Sequence, residues 1–552
     1  MADTKKFLLL FLLFVTLAAK AQLSGGFESN SVLYLDDSKI KLEQIEAQNR
    51  FRNNTYLRLD YKYRQFTTGV QLESYEPKAL LNYSPNLKKI NLGTYYVDYK
   101  NDSIRLEITA GHFYEQFGSG LVLRTWEDRQ LGIANSIAGG RIKYAPIKSI
   151  ELTALYGKQR IGLGFDFTDG FLLGLNADLQ LSQLLKAKKT NYGFAFSYVN
   201  RHENNNGFTA LPSSTYLTSV RGNINIAGFT ADAEYAFKSK DALVEFGKVR
   251  PELQFDGDAY LLNIGYSKKG FGFNTSFRRL ENFSVFSQRN LAGNIYNEAI
   301  VNYIPALTKQ YDYSLSNIYV YAAQSKLSFE PGRNKAGEIG GQLDIIYQFK
   351  KGTALGGKYG TNISVNYAQW HGLKGIYDAA QRKYKADLFA FGQKYYHEVS
   401  LEIRKKWSKE LSSVFTYLNQ YYNARYVEES SGEVNANTAI IENTLRVGKS
   451  NSIRLELQHQ WADAVFKNWA ASQLEFNLKS SWSFFAIDLY NYGNNDQNEK
   501  LHFYNVGIVY KQGAARVQVG YGRQRGGLVC VGGVCRFVPE NAGLNASLNY
   551  SF

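Results

Sequence analysis

Only two of the 552 residues are cysteines, and they stand close together in Cys530-Val531-Gly532-Gly533-Val534-Cys535. The glycine pair lets the backbone turn tightly enough to join the sulfurs, and two Cys in an exported chain point to a disulfide. Free or redox-active thiols are the other alternative; zinc would need further ligands, and the neighbouring sequence offers none. Just upstream, Gly522-Arg523-Gln524-Arg525-Gly526-Gly527 supplies two Arg for a pore mouth or a surface partner. The six His (His112, His202, His371, His397, His459 and His502) are spread along the chain at no metal-ligand spacing. No G-x-S-x-G elbow, H-E-x-x-H pair or phosphate-cradling Gly loop occurs in its strand–helix setting. The sequence predicts neither an enzyme nor a cofactor or metal.

A second unusual stretch runs from Gly111 to Gly132. Gly111, Gly118 and Gly120 interrupt a strand and permit a sharp bend; beyond it Arg124, Glu127, Asp128 and Arg129 are mixed with Trp126. This resembles the strand–loop pattern of alginate-export-type and related substrate-selective porins, where a Gly-ending strand leads into a Gly-rich bend and then a Trp and an Arg near the channel. The resemblance implies that Arg124, Trp126 and Arg129, with Glu127 and Asp128 between them, line a lumen or constriction. The competing reading is a folded-in loop whose charges satisfy one another.

These residues must be positioned by strands. In Ile453-Arg454-Leu455-Glu456-Leu457-Gln458-His459-Gln460-Trp461 the odd positions are mostly apolar and the even ones polar. Leu474, Phe476 and Leu478 alternate with Gln473, Glu475, Asn477 and Lys479, and Leu57, Leu59, Tyr61 and Tyr63 with Arg58, Asp60 and Lys62. A period of two sorts side chains onto two faces of a strand, whereas a period of 3.6 would scatter these residues around a helix. Short turns such as Gly448–Asn451, Lys479–Ser481 and Lys511–Ala514 alternate with longer polar connections. The longest are expected at roughly 284–311 and 372–396, and the pattern between 240 and 340 leaves it open whether Lys326–Glu330 is a short strand. Aromatics at strand ends, including Trp407, Trp461, Trp469 and Trp482, suit membrane-interface girdles as well as ordinary cross-strand pairs.

Composition supports one large β-architecture: 41 Tyr and 35 Phe against only 8 Pro, which strand ladders exclude. Lys5 and Lys6, the apolar run Phe7–Leu17 and Ala19-Lys20-Ala21 read as a cleaved signal peptide over residues 1–21. No other stretch approaches the 18 apolar residues of a membrane helix. The formal charge is +15, or +13 without residues 1–21. For an exported chain this suits anionic lipid headgroups, an anion-favouring pore or simply solvated turns, and not nucleic acid.

The chain ends Leu544-Asn545-Ala546-Ser547-Leu548-Asn549-Tyr550-Ser551-Phe552, with Leu544, Ala546, Leu548, Tyr550 and Phe552 on one face. Tyr550 and Phe552 resemble the signal that barrel-assembly machinery reads on the last strand of outer-membrane proteins. Closure of such a strand onto the first removes exposed edges. The fold class is therefore an all-β, transmembrane antiparallel outer-membrane β-barrel, one domain over residues 22–552, with roughly 18–26 strands. Gly111–Gly132 and Gly522–Phe537, with the barrel between them, resemble an outer-membrane β-barrel family of Bacteroidota classed as a domain of unknown function; that resemblance implies fold and compartment and brings no activity. Strands begin too soon after the leader for a large N-terminal plug. Two functions remain: a porin-like channel for small hydrophilic solutes, anionic ones included, or a non-conducting barrel serving a surface, secretion or assembly complex through its extracellular loops. Lumen filling separates them. Outer-membrane lipid and the assembly machinery are the partners both readings share.

Overall fold

The computed structural model describes residues 22–552 apart from 44, 81–85, 188, 205–209, 246, 431 and 465; the leader expected over residues 1–21 lies outside them. The period-two segments become 24 antiparallel strands in one sheet, each paired with its chain neighbours. The last, Asn541–Ser551, pairs with the first, Gln22–Tyr34, in the register Phe27↔Tyr550 to Tyr34↔Gly543. Phe552 then exchanges two backbone hydrogen bonds with Gly25, at 2.8 and 3.0 Å. The sheet is a closed barrel with no free edge, the arrangement a bilayer demands of strands.

The wall sorts side chains as alternation requires. Leu455, Leu457 and Trp461 are exposed on the outside, as are Val399, Leu401, Leu544, Leu548 and Tyr550. Their neighbours Glu456, Gln458, Gln460, Glu398, Ser400 and Glu402 are buried inside. Trp407, Trp461 and Trp482 stand exposed near strand ends. Trp469 departs from that girdle: it is 1% exposed and packs with Phe503, Ala471 and Tyr319 in an interior apolar cluster. Its parity, not its aromatic character, decides its face.

One rim carries short turns, as at 64–65, 227–228, 448–450 and 513–514; the other carries the long connections. Two expectations about the latter are corrected. The stretch 372–396 is no loop: Thr361–Asp378 and Lys383–Lys406 form a long hairpin that rises past the rim. Register shifts at Trp370/His371, His371/Leu373 and Leu373/Gly375 break its alternation and hid the strands. The connection expected at 284–311 runs through 282–336, between strands Phe271–Glu281 and Gly337–Phe349. Lys326–Glu330 lies inside it and makes only an isolated bridge, Ser328↔Lys335.

Candidate functional site: the lumen and its loop cap

The inner face changes character along the barrel axis. Toward the short-turn rim its charges pair along the wall and most keep some contact with solvent. Arg58, exposed, holds Asp60 at 2.7 Å, and Tyr96 donates to the same carboxylate at 2.8 Å. Arg454 reaches Glu442 at 2.9 Å, Glu456 at 2.6 Å and Glu475 at 3.7 Å across three neighbouring strands. Ladders of this kind neutralise the lumen without filling it.

Toward the long-loop rim the inner face is buried, because chain folds into it. The 282–336 connection is held first by a four-charge cluster. Arg289 contacts Glu203 at 2.8 Å and Asp241 at 2.7 Å, and Arg201 contacts the same two at 2.6 Å each. All four side chains are at most 6% exposed. Desolvating four charges is costly, and this mutual pairing, with bonds to Pro212 O and from the Ala242 N–H, offsets it. Further on, Arg278 of the wall bonds Glu338 at 2.5 Å, and Tyr321 donates to the second oxygen of Glu338 at 2.6 Å. Tyr311 and Tyr396 both donate to Glu398, at 2.9 and 2.5 Å. Gln458 accepts from the Leu315 N–H while Gln460 donates to its carbonyl. The wall thus satisfies backbone groups that a buried loop would otherwise leave unpaired.

Apolar packing completes the seat. Leu315, Ile318, Tyr319 and Tyr321 join Trp370, Tyr396, Tyr422 and Trp469 from the wall; the Tyr321 and Trp370 rings stack at 5.7 Å. On the opposite side Phe283, Val285 and Val301 pack with Phe117, Leu121, Val122 and Leu123 against inward Leu155, Leu172, Val199, Leu217 and Leu280. The lumen here is a core.

The Gly111–Gly132 segment is the second part of this cap. Gly111 (φ +104°) lies so close to Tyr95 O that a Cβ would sit 2.4 Å from it, so the bend needs glycine. Arg124 lies 3.7 Å over the Tyr303 ring and 5.6 Å from Trp126, and its N–H donates to Val301 O. Arg129 bonds Glu28 at 2.5 Å and Glu127 at 3.0 Å and lies 4.1 Å over Tyr56. Asp128 accepts from the Leu131 N–H, and Trp126 packs edge-on against Tyr303 at 5.1 Å. The five residues thus stand in a folded-in loop beside the inner wall, with partners from the loop, wall and 282–336.

The third part is a hairpin, Gly527–Val531 with Val534–Val538, closed by the disulfide Cys530–Cys535. It reaches the same segment: Tyr303 donates to Gly532 O at 2.6 Å, Ala306 N–H to Gly533 O at 2.7 Å, and Arg525 to Asn317 O at 3.1 Å. Arg523, at the end of strand Ala515–Gln524, instead clamps Asp37 at 2.6 Å, tying that strand to the first connection. Sequence reasoning missed Arg201, Glu203, Asp241, Arg278, Arg289 and Glu338. Their signal was indirect: a 55-residue gap between wall strands is too long for a loop without a packed structure of its own. Among the described residues, no three His, Cys, Asp or Glu side chains group as metal ligands.

The model of a family of unknown function, DUF6029, matches residues 4–552 of this chain. No curated protein matches. Among solved structures it is similar to the siderophore receptor PirA from Pseudomonas aeruginosa, with 9% identity, TM-score 0.43, and 96% of this chain and 80% of that one covered. It is similar to a BenF-like porin from Pseudomonas fluorescens Pf-5, at 9% identity and TM-score 0.36, covering 97% and 99%. It is also similar to the E. coli P pilus tip assembly intermediate PapC-PapD-PapK-PapG, at 8% identity and TM-score 0.50, covering 96% of this chain and 60% of that one. At such identities the likeness is one of fold alone.

Proposed function

The chain belongs to this DUF6029 family of unknown function, so membership brings no activity, and we propose that it is an outer-membrane barrel that rests closed and serves a surface, secretion or assembly complex through its cap rather than as an open porin. The observation that carries this reading is the 282–336 connection, buried in the lumen by the Arg201–Glu203–Asp241–Arg289 cluster and two apolar cores. A chain segment seated by desolvated ion pairs and close-packed rings leaves no continuous water path where it sits.

The second reading is a selective channel for small hydrophilic solutes, opened by displacing the cap. The wet, mixed-charge inner face at Arg58, Asp60 and Arg454 favours it, because such a vestibule serves no need of a solid scaffold. Localisation in the outer membrane rests on the closed barrel with apolar outer face. Delivery by barrel-assembly machinery rests on the last strand, where Tyr550 and Phe552 face outward.

Planar-bilayer recording of the purified, heat-modifiable full chain separates the readings. The closed reading expects no steady conductance from inserted protein, and steps that appear once residues 284–334 are replaced by a short Gly/Ser linker. Steady conductance from the intact chain would overturn it. Conductance only after a solute is added would favour the gated channel.

A further inference from the structure

The cap holds a partly open cavity of about 410 Å³ between the Gly111–Gly132 loop, the 282–336 connection, residues 427–429 and the disulfide hairpin. Two lysines line it. Lys335 is buried and donates to two neutral acceptors, Gln324 Oε1 at 2.8 Å and Tyr426 O at 3.2 Å. Lys326 is half-buried, with its ammonium 5.4 Å from the centre of the Phe286 ring. Among the described residues neither lysine has a carboxylate within 4 Å. The acids on the same cavity are engaged elsewhere: Glu245 with Arg250 at 3.4 Å, Glu429 with Arg333 at 3.8 Å, and Glu428 with Tyr422. Two lysines therefore line one space and repel each other, with Glu429 acting on both only through space and neither held in an ion pair. Burial, with Lys335 adding to it, pushes Lys326 down to about 8. Holding like charges this way is unfavourable, and either loss of a proton or the arrival of an anion relieves it. Trp126 and Tyr303 supply an aromatic wall on the same cavity.

We propose that this cavity is a binding site for a small anionic solute, a carboxylate or a phosphate, whose charge is held by Lys326 and Lys335 and whose remaining atoms lie against Trp126 and Tyr303. The site does not depend on whether the barrel conducts.

The test is calorimetric titration of the full chain in detergent at pH 7 with three probes: benzoate, inorganic phosphate and neutral benzamide. Saturable binding of benzoate or phosphate, with none of benzamide, is the expected result, and the anion that binds identifies the class. Lys326→Gln should weaken that binding about tenfold or more, as loss of a charge-assisted hydrogen bond does, while Lys326→Arg should largely retain it. Heat-modifiable migration checks that each variant is folded; should Lys326→Gln fail to assemble, Lys335→Gln carries the same test. Absence of saturation by either anion, equal binding of benzamide, or binding indifferent to the lysine variants would overturn the proposal. Failure here leaves the conductance outcome untouched, and the reverse holds too.

Discussion

Arg289→Met tests directly whether the 282–336 segment is seated as the geometry implies. Methionine keeps much of the apolar stem and removes the guanidinium, which bonds Asp241, Glu203 and Pro212 O at 2.6–2.8 Å. Glu203 and Asp241 would then share Arg201 alone, with Lys238 acting on Asp241 through space. Removing one partner of a buried ion pair costs about 3–5 kcal/mol. The surviving Arg201 contacts put this case at the low end, about 3 kcal/mol, or roughly a hundredfold in the equilibrium for local opening. The amides that report it are Ser287, bonded to Ala299 O, and Val301, bonded to Val285 O, each at 2.9 Å. Hydrogen exchange read by mass spectrometry should show peptides over 284–302 exchanging about a hundredfold faster, with strands Phe271–Glu281 and Gly337–Phe349 unchanged. Unchanged protection over 284–302 in a folded variant would refute the reasoning and make the cluster incidental to the seat.

Trp370→Ala should cost about 3–5 kcal/mol by leaving a cavity under Tyr321 and freeing Leu307 O; faster exchange over 307–321 would report it. Replacing both Cys530 and Cys535 by Ser removes a short closed loop worth about 2 kcal/mol in the chain-entropy account; exchange over 527–538 should rise, and that over Tyr303–Ala306 with it. Lys326 has a folded-state value below its ordinary one, so between about 8 and 10.5 the unfolded chain binds more protons and stability rises with pH, the penalty being fully present below 8. With Lys335 and Glu429 the charges acting on it, thermal melts should shift upward from pH 7 to 10 in the parent, less so in Lys326→Met, which should melt higher at pH 7. Deleting Phe552 removes its two backbone bonds to Gly25, so the yield of heat-modifiable barrel should fall in refolding into lipid vesicles.

The wall was legible because its cause is local. A strand exposes alternate residues to lipid and to the interior, so Leu455/Arg454 or Val399/Glu402 declare their faces without reference to any partner. The closing strand, the short turns and the last loop with its cysteines follow from the same period and from turn residues. The chain alone determined an even-stranded, closed, antiparallel barrel. The cap was decided only in three dimensions. Glu203, Asp241 and Arg289 are far apart in sequence and mean nothing as a motif; they become a site because the barrel's curvature brings their strands and loop to one point. Trp469 and Trp461 look alike in sequence, yet parity sends one to the core and the other outward. In sequence Arg124–Arg129 reads as a constriction or as a self-satisfied loop, and its partners Glu28, Tyr56 and Tyr303 come from elsewhere in the chain. Ion pairs and ring stacks between distant segments have no period, and so the sequence carries no signal for them; only the fold supplies the distances on which they depend.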